Sequence, residues 1–193
     1  MSSTLAPTPP SDQLLRTLAS VPVSTPMLNL GCGTGRHAEA LLRLGFPMHA
    51  CDPREQAVAD TRAIVRDLVD DETAQSCVQT TPLQALDNLD ATFDWVIADE
   101  TEAYLGDSAD LMPLLRKARS LLNPGGWLYL TLPAATEDGE TEGRDDAAIL
   151  FAPSDLSVSH SDTAFMEVQS PERVEENGEV RLHALYRRIK RTA

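Results

Sequence analysis

Three glycines in five positions, Gly31-Cys32-Gly33-Thr34-Gly35, follow the apolar run Met27-Leu28-Asn29-Leu30 and precede Arg36-His37-Ala38. No other feature of the chain restricts its folding as much. An apolar run that stops at a glycine-rich turn and restarts with helical periodicity reads as strand, turn and helix. Glycines let the main chain bend sharply and approach a ligand that a Cβ would hold off. The helix beginning there presents free N–H groups and a positive dipole end to the same spot. A second apolar run ends at Ala50-Cys51-Asp52-Pro53. The Asp52 carboxylate thus arrives about 20 positions after the first glycine, the separation at which an acid accepts both hydroxyls of a ribose. Together these parts predict a nucleotide pocket.

The glycine spacing narrows the ligand. A dinucleotide fingerprint is G-x-G-x-x-G, whereas here the third glycine comes one residue early, and no lysine follows to make a phosphate-cradling loop. The spacing Gly31-x-Gly33-x-Gly35 with Asp52 in register resembles motif I of class I S-adenosylmethionine-dependent methyltransferases. Two later segments extend the resemblance. Thr92-Phe93-Asp94-Trp95-Val96-Ile97-Ala98-Asp99-Glu100 is similar to that family's fourth strand, which ends beside the transferred methyl. Leu121-Leu122-Asn123-Pro124-Gly125-Gly126-Trp127-Leu128-Tyr129-Leu130 is similar to the helix end, turn and fifth strand that follow. Physically, a proline stops the helix, glycines turn the chain, and an apolar run suits a central strand.

What the resemblance implies can be stated residue by residue. The fold is a three-layer α/β, Rossmann-like arrangement. Its seven-stranded, mostly parallel sheet has the order 3-2-1-4-5-7-6, with strand 7 antiparallel. S-adenosylmethionine is the implied cofactor. It would lie against Asn29, Gly31, Cys32, Gly33, Thr34, Gly35, Asp52, Pro53, Thr81, Pro82, Leu83 and Asp99. The sequence departs from the family pattern twice. Asn29 stands where most members carry an acid, so the pocket floor has an amide and no negative charge. Gln79-Thr80-Thr81-Pro82-Leu83 offers hydroxyls where many members meet the adenine with a carboxylate.

Methyl transfer is an in-line displacement at an activated carbon, so alignment matters most and a base is needed only for a protonated nucleophile. Glu100 and Tyr104 are the proposed catalytic pair at the end of strand four. Asp99 and Glu102 are further candidates, and Asp99 could equally meet the cofactor's ammonium or cap the next helix. His37 reads as a packed helix-surface residue before it reads as a ligand contact. Arg36 either pairs an acid or faces solvent, and His160 and His183 have no evident partner. The stretch from Gly31 to Ala38 is also similar to the small bacterial methyltransferases grouped with tellurite-resistance proteins, and the motif occurs in quinone and amine methyltransferases.

Charge and composition set the partners. Sixteen Lys and Arg against thirty Asp and Glu leave −14 on 193 residues, which repels phosphate backbones and argues against nucleic acid. No apolar run approaches the roughly 20 residues of a membrane span. The start, Met1-Ser2-Ser3-Thr4-Leu5-Ala6-Pro7, lacks the basic and apolar parts of a signal peptide. A cytoplasmic enzyme acting on a small molecule, as monomer or homodimer, is expected. Three cysteines, Cys32, Cys51 and Cys77, suit neither a disulfide framework nor a zinc site, so no metal is expected.

Residues 1–10 are expected to be a flexible lead and residues 11–193 one domain. Ser11 is placed to cap a helix reaching Leu18. Strands are expected at residues 26–30, 47–51, 76–79, 93–98 and 127–132, and helices at 35–44, 53–68 and within 108–122. The acidic stretch 134–146 is a solvated loop or a lid. Residues 151–156 look like a helix start. Residues 165–169 and 180–189 alternate as strands, joined through the turn signal Asn177-Gly178. Two other functions compete: a module that binds the cofactor or its demethylated product without catalysis, and a nicotinamide-dependent oxidoreductase, which the glycine spacing disfavours.

Overall fold

The computed structural model describes residues 9–99, 101–135, 149–157, 164–176 and 178–189. Glu100, His160, Asn177, residues 1–8 and most of the acidic stretch lie outside them. The chain begins with helix α1 (Asp12–Leu18), strand β1 (Met27–Leu30), α2 (Arg36–Leu44), β2 (Met48–Asp52), α3 (Glu55–Val65), α4 (Asp71–Cys77) and β3 (Val78–Thr80). It continues with β4 (Phe93–Ala98), α5 (Leu111–Leu121), β5 (Leu122–Pro133), β6 (Phe165–Glu176) and β7 (Glu179–Arg188). The seven strands form one sheet in the order β3-β2-β1-β4-β5-β7-β6. Pairs among the first five strands are parallel, while β7 runs antiparallel to both β5 and β6. This is the architecture the resemblance implied.

Burial explains why the central strands read as unbroken apolar runs. All four residues of β1 are buried and β4 is nearly so, as expected when helices cover both faces of a parallel sheet. On one face, Leu14 and Leu18 of α1, Ala38 and Leu41 of α2, Val58 and Val65 of α3 and Ala74 of α4 pack on Met27, Ile97 and Tyr129. On the other, Leu111, Leu114, Leu115 and Ala118 of α5 meet Leu28, Val96, Leu130, Leu182 and Tyr186. Each face therefore carries alternate residues of the same strands.

Local chemistry fixes the boundaries. The Ser11 hydroxyl accepts the Leu14 N–H at 3.2 Å and starts α1. Gly45 ends α2 in the left-handed region, φ 91°, as a helix-terminating glycine does. The third strand begins two residues later than periodicity suggests, because the preceding stretch is helical. Asp70 caps α4 by accepting the Thr73 N–H at 2.9 Å, and Asp71 and Glu72 complement the dipole of the first turn. Cys77 closes that helix and lies off the strand where it was expected. Residues 151–156 form an extended bridge from Phe151 to Ala134 followed by a 3-10 turn, Pro153–Leu156. Strands β5 and β6 are 12 residues each, longer than alternation alone indicated.

Candidate cofactor and acceptor site

The strand order reverses between β1 and β4, so the crevice at the carboxyl ends of these two strands is the ligand site expected of an open α/β sheet. The glycine turn forms its floor. Gly31 and Cys32 donate their N–H groups to the Cys51 carbonyl at 2.8 and 3.0 Å, which ties the turn to β2. Gly33 sits at φ 53° and Gly35 at φ 88°, a region that favours glycine. A Cβ on Gly35 would stand 3.1 Å from Thr61 Cα and 3.3 Å from Ile64 Cδ1. The third glycine is thus required for close packing of α2 on α3. Thr61 adds a hydroxyl bond to the Gly33 carbonyl at 3.1 Å. Cys32 is buried and burial pushes its thiol up to about 11, so it fills space and stays protonated.

Asp52 ends β2 with a fully buried side chain that accepts the Gly33 N–H at 3.1 Å. The acid and the glycine turn are therefore one unit. Arg54 takes the remaining positions: its Nε donates to Oδ1 at 2.9 Å, its Nη2 to Oδ2 at 3.0 Å, and its main-chain N–H to Oδ1 at 3.0 Å. Burial alone would raise the Asp52 carboxyl, but the bonds from Arg54 and from the Gly33 N–H hold it below the ordinary carboxylate range. The Arg54 side chain is 55% exposed.

Asn29 of β1 stands in register with Ile97 of β4 at 0% exposure, and neither of its amide atoms finds a partner among the described residues. Such an orphan costs about 1–3 kcal/mol unless a ligand or water meets it. An amide waiting under a glycine turn, beside an acid already oriented by that turn, fits a nucleoside cofactor with a polar amino-acid tail.

Beside the turn stands a buried ionic cluster that periodicity did not reveal. Asp99, directly after β4, has a fully buried side chain. Arg36 Nη2 reaches its Oδ2 at 2.8 Å, and the Thr131 hydroxyl from β5 donates to Oδ1. Arg181 Nε lies 3.9 Å away. His37 Nε2 lies 3.3 Å from Oδ2 and also accepts the Ser11 N–H at 3.1 Å. Burial would raise the Asp99 carboxyl, but His37, Arg181, Thr131 and Arg36 outweigh it and keep the carboxylate ionised. Arg181 also donates to Glu102 Oε1 at 2.6 Å from its Nη2. His183 meets the Tyr129 hydroxyl at 2.8 Å through Nδ1. Both faces of β7 are buried from Arg181 to Ala184, and Arg181 and His183 share one of them, opposite Leu182 and Ala184. Their alternation was legible, but the direction in which that polar face points was not.

The remaining predicted residues distribute as follows. Thr34 is exposed at the tip of the turn and Pro53 is half-buried beside Asp52. Thr81 is buried and donates its N–H to the Asp52 carbonyl at 3.0 Å, with Pro82 exposed and Leu83 half-buried after it. Tyr104 is buried, and its hydroxyl donates to Cys51 Sγ at 3.5 Å. Burial, then the nearby Cys51 and Asp52, push that phenol far above its ordinary range, so it stays protonated near Asp52. Among the described residues no group of three or more His, Cys, Asp or Glu side chains is arranged to hold a metal ion. No described helix is long and apolar enough to cross a membrane.

Similarity to known proteins agrees with this geometry. The family described as methyltransferase domain matches residues 28–128, from β1 into β5. The chain belongs to that family, and its fold is that of the class I S-adenosylmethionine-dependent methyltransferases. An S-adenosylmethionine-dependent methyltransferase from Methanosarcina mazei superposes with a TM-score of 0.69 at 15% identity, covering 91% of this chain and 98% of that one. The N-methyltransferase NodS from Bradyrhizobium japonicum in complex with S-adenosyl-L-homocysteine gives 0.66 at 20% identity, covering 91% and 84%. TehB from Haemophilus influenzae gives 0.70 at 16% identity, covering 93% and 62%. No curated protein matches the chain in sequence.

Proposed function

We propose that the protein transfers a methyl group from S-adenosylmethionine to a small-molecule acceptor, acting in the cytoplasm. The observation that carries this reading is the Asp52 carboxylate, buried at the end of β2 and anchored on the Gly33 N–H at the point where the strand order reverses. Asp52 would hold the ribose, Thr81 to Leu83 would flank the base, and Asn29 would meet the polar tail. Cys32 and Thr34 would line the turn. When bound, the cofactor supplies a methyl already activated on a sulfonium, which needs alignment above all. Asp99, ionised and saturated by cations, orients Arg36 and Arg181 and takes no proton from the acceptor. Tyr104 packs under Asp52. An ionised Asp99 engaged by cations and a Tyr104 that stays protonated suit acceptors that need no strong base, such as a thiolate or a neutral amine.

The same saturation gives the second reading, a cofactor-binding module without turnover, its footing. Titration of the protein with S-adenosylmethionine and S-adenosylhomocysteine, followed by incubation with labelled cofactor and a metabolite extract, separates the two. Binding with transfer of label is expected. Binding without transfer across broad acceptor panels supports the second reading, and no binding of either nucleoside sinks both. Tight NADH binding would restore the oxidoreductase.

Arg54 occupies the two oxygens that ribose hydroxyls would use. Its pair is half-exposed and worth no more than about 1 kcal/mol. Arg54→Ala should therefore tighten cofactor binding by up to about fivefold in calorimetry. A marked loss of affinity would instead show that Arg54 stays and helps to hold the nucleoside.

A further inference from the structure

We propose that the protein has a second ligand site, at the end of the sheet opposite the cofactor crevice, and that its ligand is an arylalkylammonium ion. The inference does not depend on the methyltransferase reading. A cavity of about 490 Å³ opens at the amino ends of β4 and β5, where the last turn of α1 and the segment behind it meet the sheet. Its volume lies in the range of small-molecule pockets. Thr17, Ser20 and Thr25 line it from the α1 side, and Asp94, Trp95 and Trp127 from the sheet.

An irregularity in the sheet builds this end. Phe93 pairs with Leu122 and Trp95 with Trp127, so the single residue Asp94 on β4 stands against Asn123 to Gly126 on β5. A bulge of this kind re-aims the side chains around it. Phe93 and Trp95, which regular alternation would send to one face, enter opposite core layers. Asp94 stands at the slip and lines the cavity. The bulge needs its small residues, because a Cβ on Gly126 would lie 3.0 Å from the carbonyl oxygens of Asn123 and Asp94. The Pro124-Gly125-Gly126 turn thus shapes a wall of the cavity as well as leading into the strand.

The lining chooses the ligand. Among the described residues Asp94 is the one ionisable side chain there, and it is half-buried. Its Oδ1 accepts from Asn123 Nδ2 at 2.9 Å, while Oδ2 has no hydrogen bond or ion pair among the described residues. Trp95 and Trp127 are the chain's two tryptophans, stacked with centroids 5.6 Å apart and planes 12° from parallel. Arg187, on the neighbouring strand β7, lies over Trp127 at 5.1 Å and donates from Nε to the Gly125 carbonyl at 3.2 Å, outside the lining. With both faces of Trp127 covered, the rings offer their edges to an occupant. Those edges carry the positive end of the ring quadrupole and attract the face of an incoming aromatic ring. A protonated amine on that ring pairs with the open Asp94 oxygen, in a chain whose net charge of −14 draws cations. A carboxylate would meet Asp94 as a like charge, and a neutral group forgoes the charge-assisted bond.

The test titrates phenethylamine, phenethyl alcohol and phenylpropionate into the intact protein by calorimetry, with tryptophan emission followed in parallel. Both tryptophans line the cavity, so an occupant there shifts the emission. Phenethylamine should bind about tenfold or more tightly than phenethyl alcohol, the margin of a charge-assisted over a neutral hydrogen bond, and phenylpropionate most weakly. Asp94→Asn keeps an acceptor for Asn123 and should bring the amine down to the level of the alcohol. Saturation with S-adenosylhomocysteine should leave the amine's affinity unchanged. Equal binding of the alcohol or the acid, binding of none of the three, or binding without a change in emission overturns the proposal. So does displacement of the amine by the nucleoside, or a preference for the amine that survives Asp94→Asn. Should Asp94→Asn fail to fold, the wild-type ranking and the emission still decide, because each can fail by itself. Protein that binds the amine but no S-adenosylhomocysteine overturns the methyltransferase reading and leaves this site standing.

Discussion

Replacing Asp99 with alanine should lower the free energy of unfolding by about 3–5 kcal/mol, the scale of removing one partner from a buried ion pair. The side chain has no exposure and accepts from Arg36 at 2.8 Å and from Thr131, with Arg181 close by. Without it, Arg36 and Arg181, whose side chains are 8% and 9% exposed, would lose the buried carboxylate they share. Urea denaturation at neutral pH measures the effect, and a change below about 1 kcal/mol would show that the cluster relaxes into solvent. The pH dependence has a definite sign. The folded-state carboxyl lies below its ordinary value near 3.8, so the unfolded chain binds the proton more readily. The stabilisation is complete above that value and disappears as pH falls from it through the folded-state value. The stability gap between wild type and Asp99→Asn should accordingly be full at neutrality, begin to narrow below about pH 4, and close only once pH falls beneath the folded-state value.

Asp52→Ala should weaken S-adenosylhomocysteine binding by about 1.5–3 kcal/mol, the range for hydrogen bonds to a charged group. Two features set where in that range the result falls. Gly33 already orients the carboxylate, which favours a large loss. Arg54 competes for the same oxygens, which reduces it. In the Arg54→Ala background the loss from Asp52→Ala should therefore be larger than in the wild type, and a double-mutant cycle reads the coupling directly. Calorimetry with the demethylated nucleoside avoids turnover during the measurement. An unchanged dissociation constant would show that the ribose lies elsewhere.

The two predictions differ in how far sequence reasoning reached them. Asp52 is recognisable from its distance to Gly31, because strand, turn, helix and strand follow one another along the chain and their lengths set the register. Arg54 could have been recognised too, since an arginine two positions after a terminal acid can fold back on it. The extra helix α4 was missed although Asp70, Asp71 and Glu72 form a proper helix start, because the apolar residues after them suggested a strand. Asp99 was singled out, but its partners were not. Arg36 lies 63 positions away in sequence, and Glu102 and Arg181 are 79 apart.

The linear order of residues determined the glycine turn and the acid that faces it, since both depend on spacing between near neighbours, while the seven-stranded sheet and its strand order were implied by the family these motifs resemble. Tertiary structure alone decided which way the polar face of β7 points, which cations neutralise Asp99, and which carboxylate covers Arg181. Alternation along a strand says that residues divide between two faces. Both faces of β7 are buried from Arg181 to Ala184, so burial does not tell them apart; the antiparallel register of β7 on β5 decides which groups Arg181 and His183 meet, and with those side chains buried these meetings settle which charges persist.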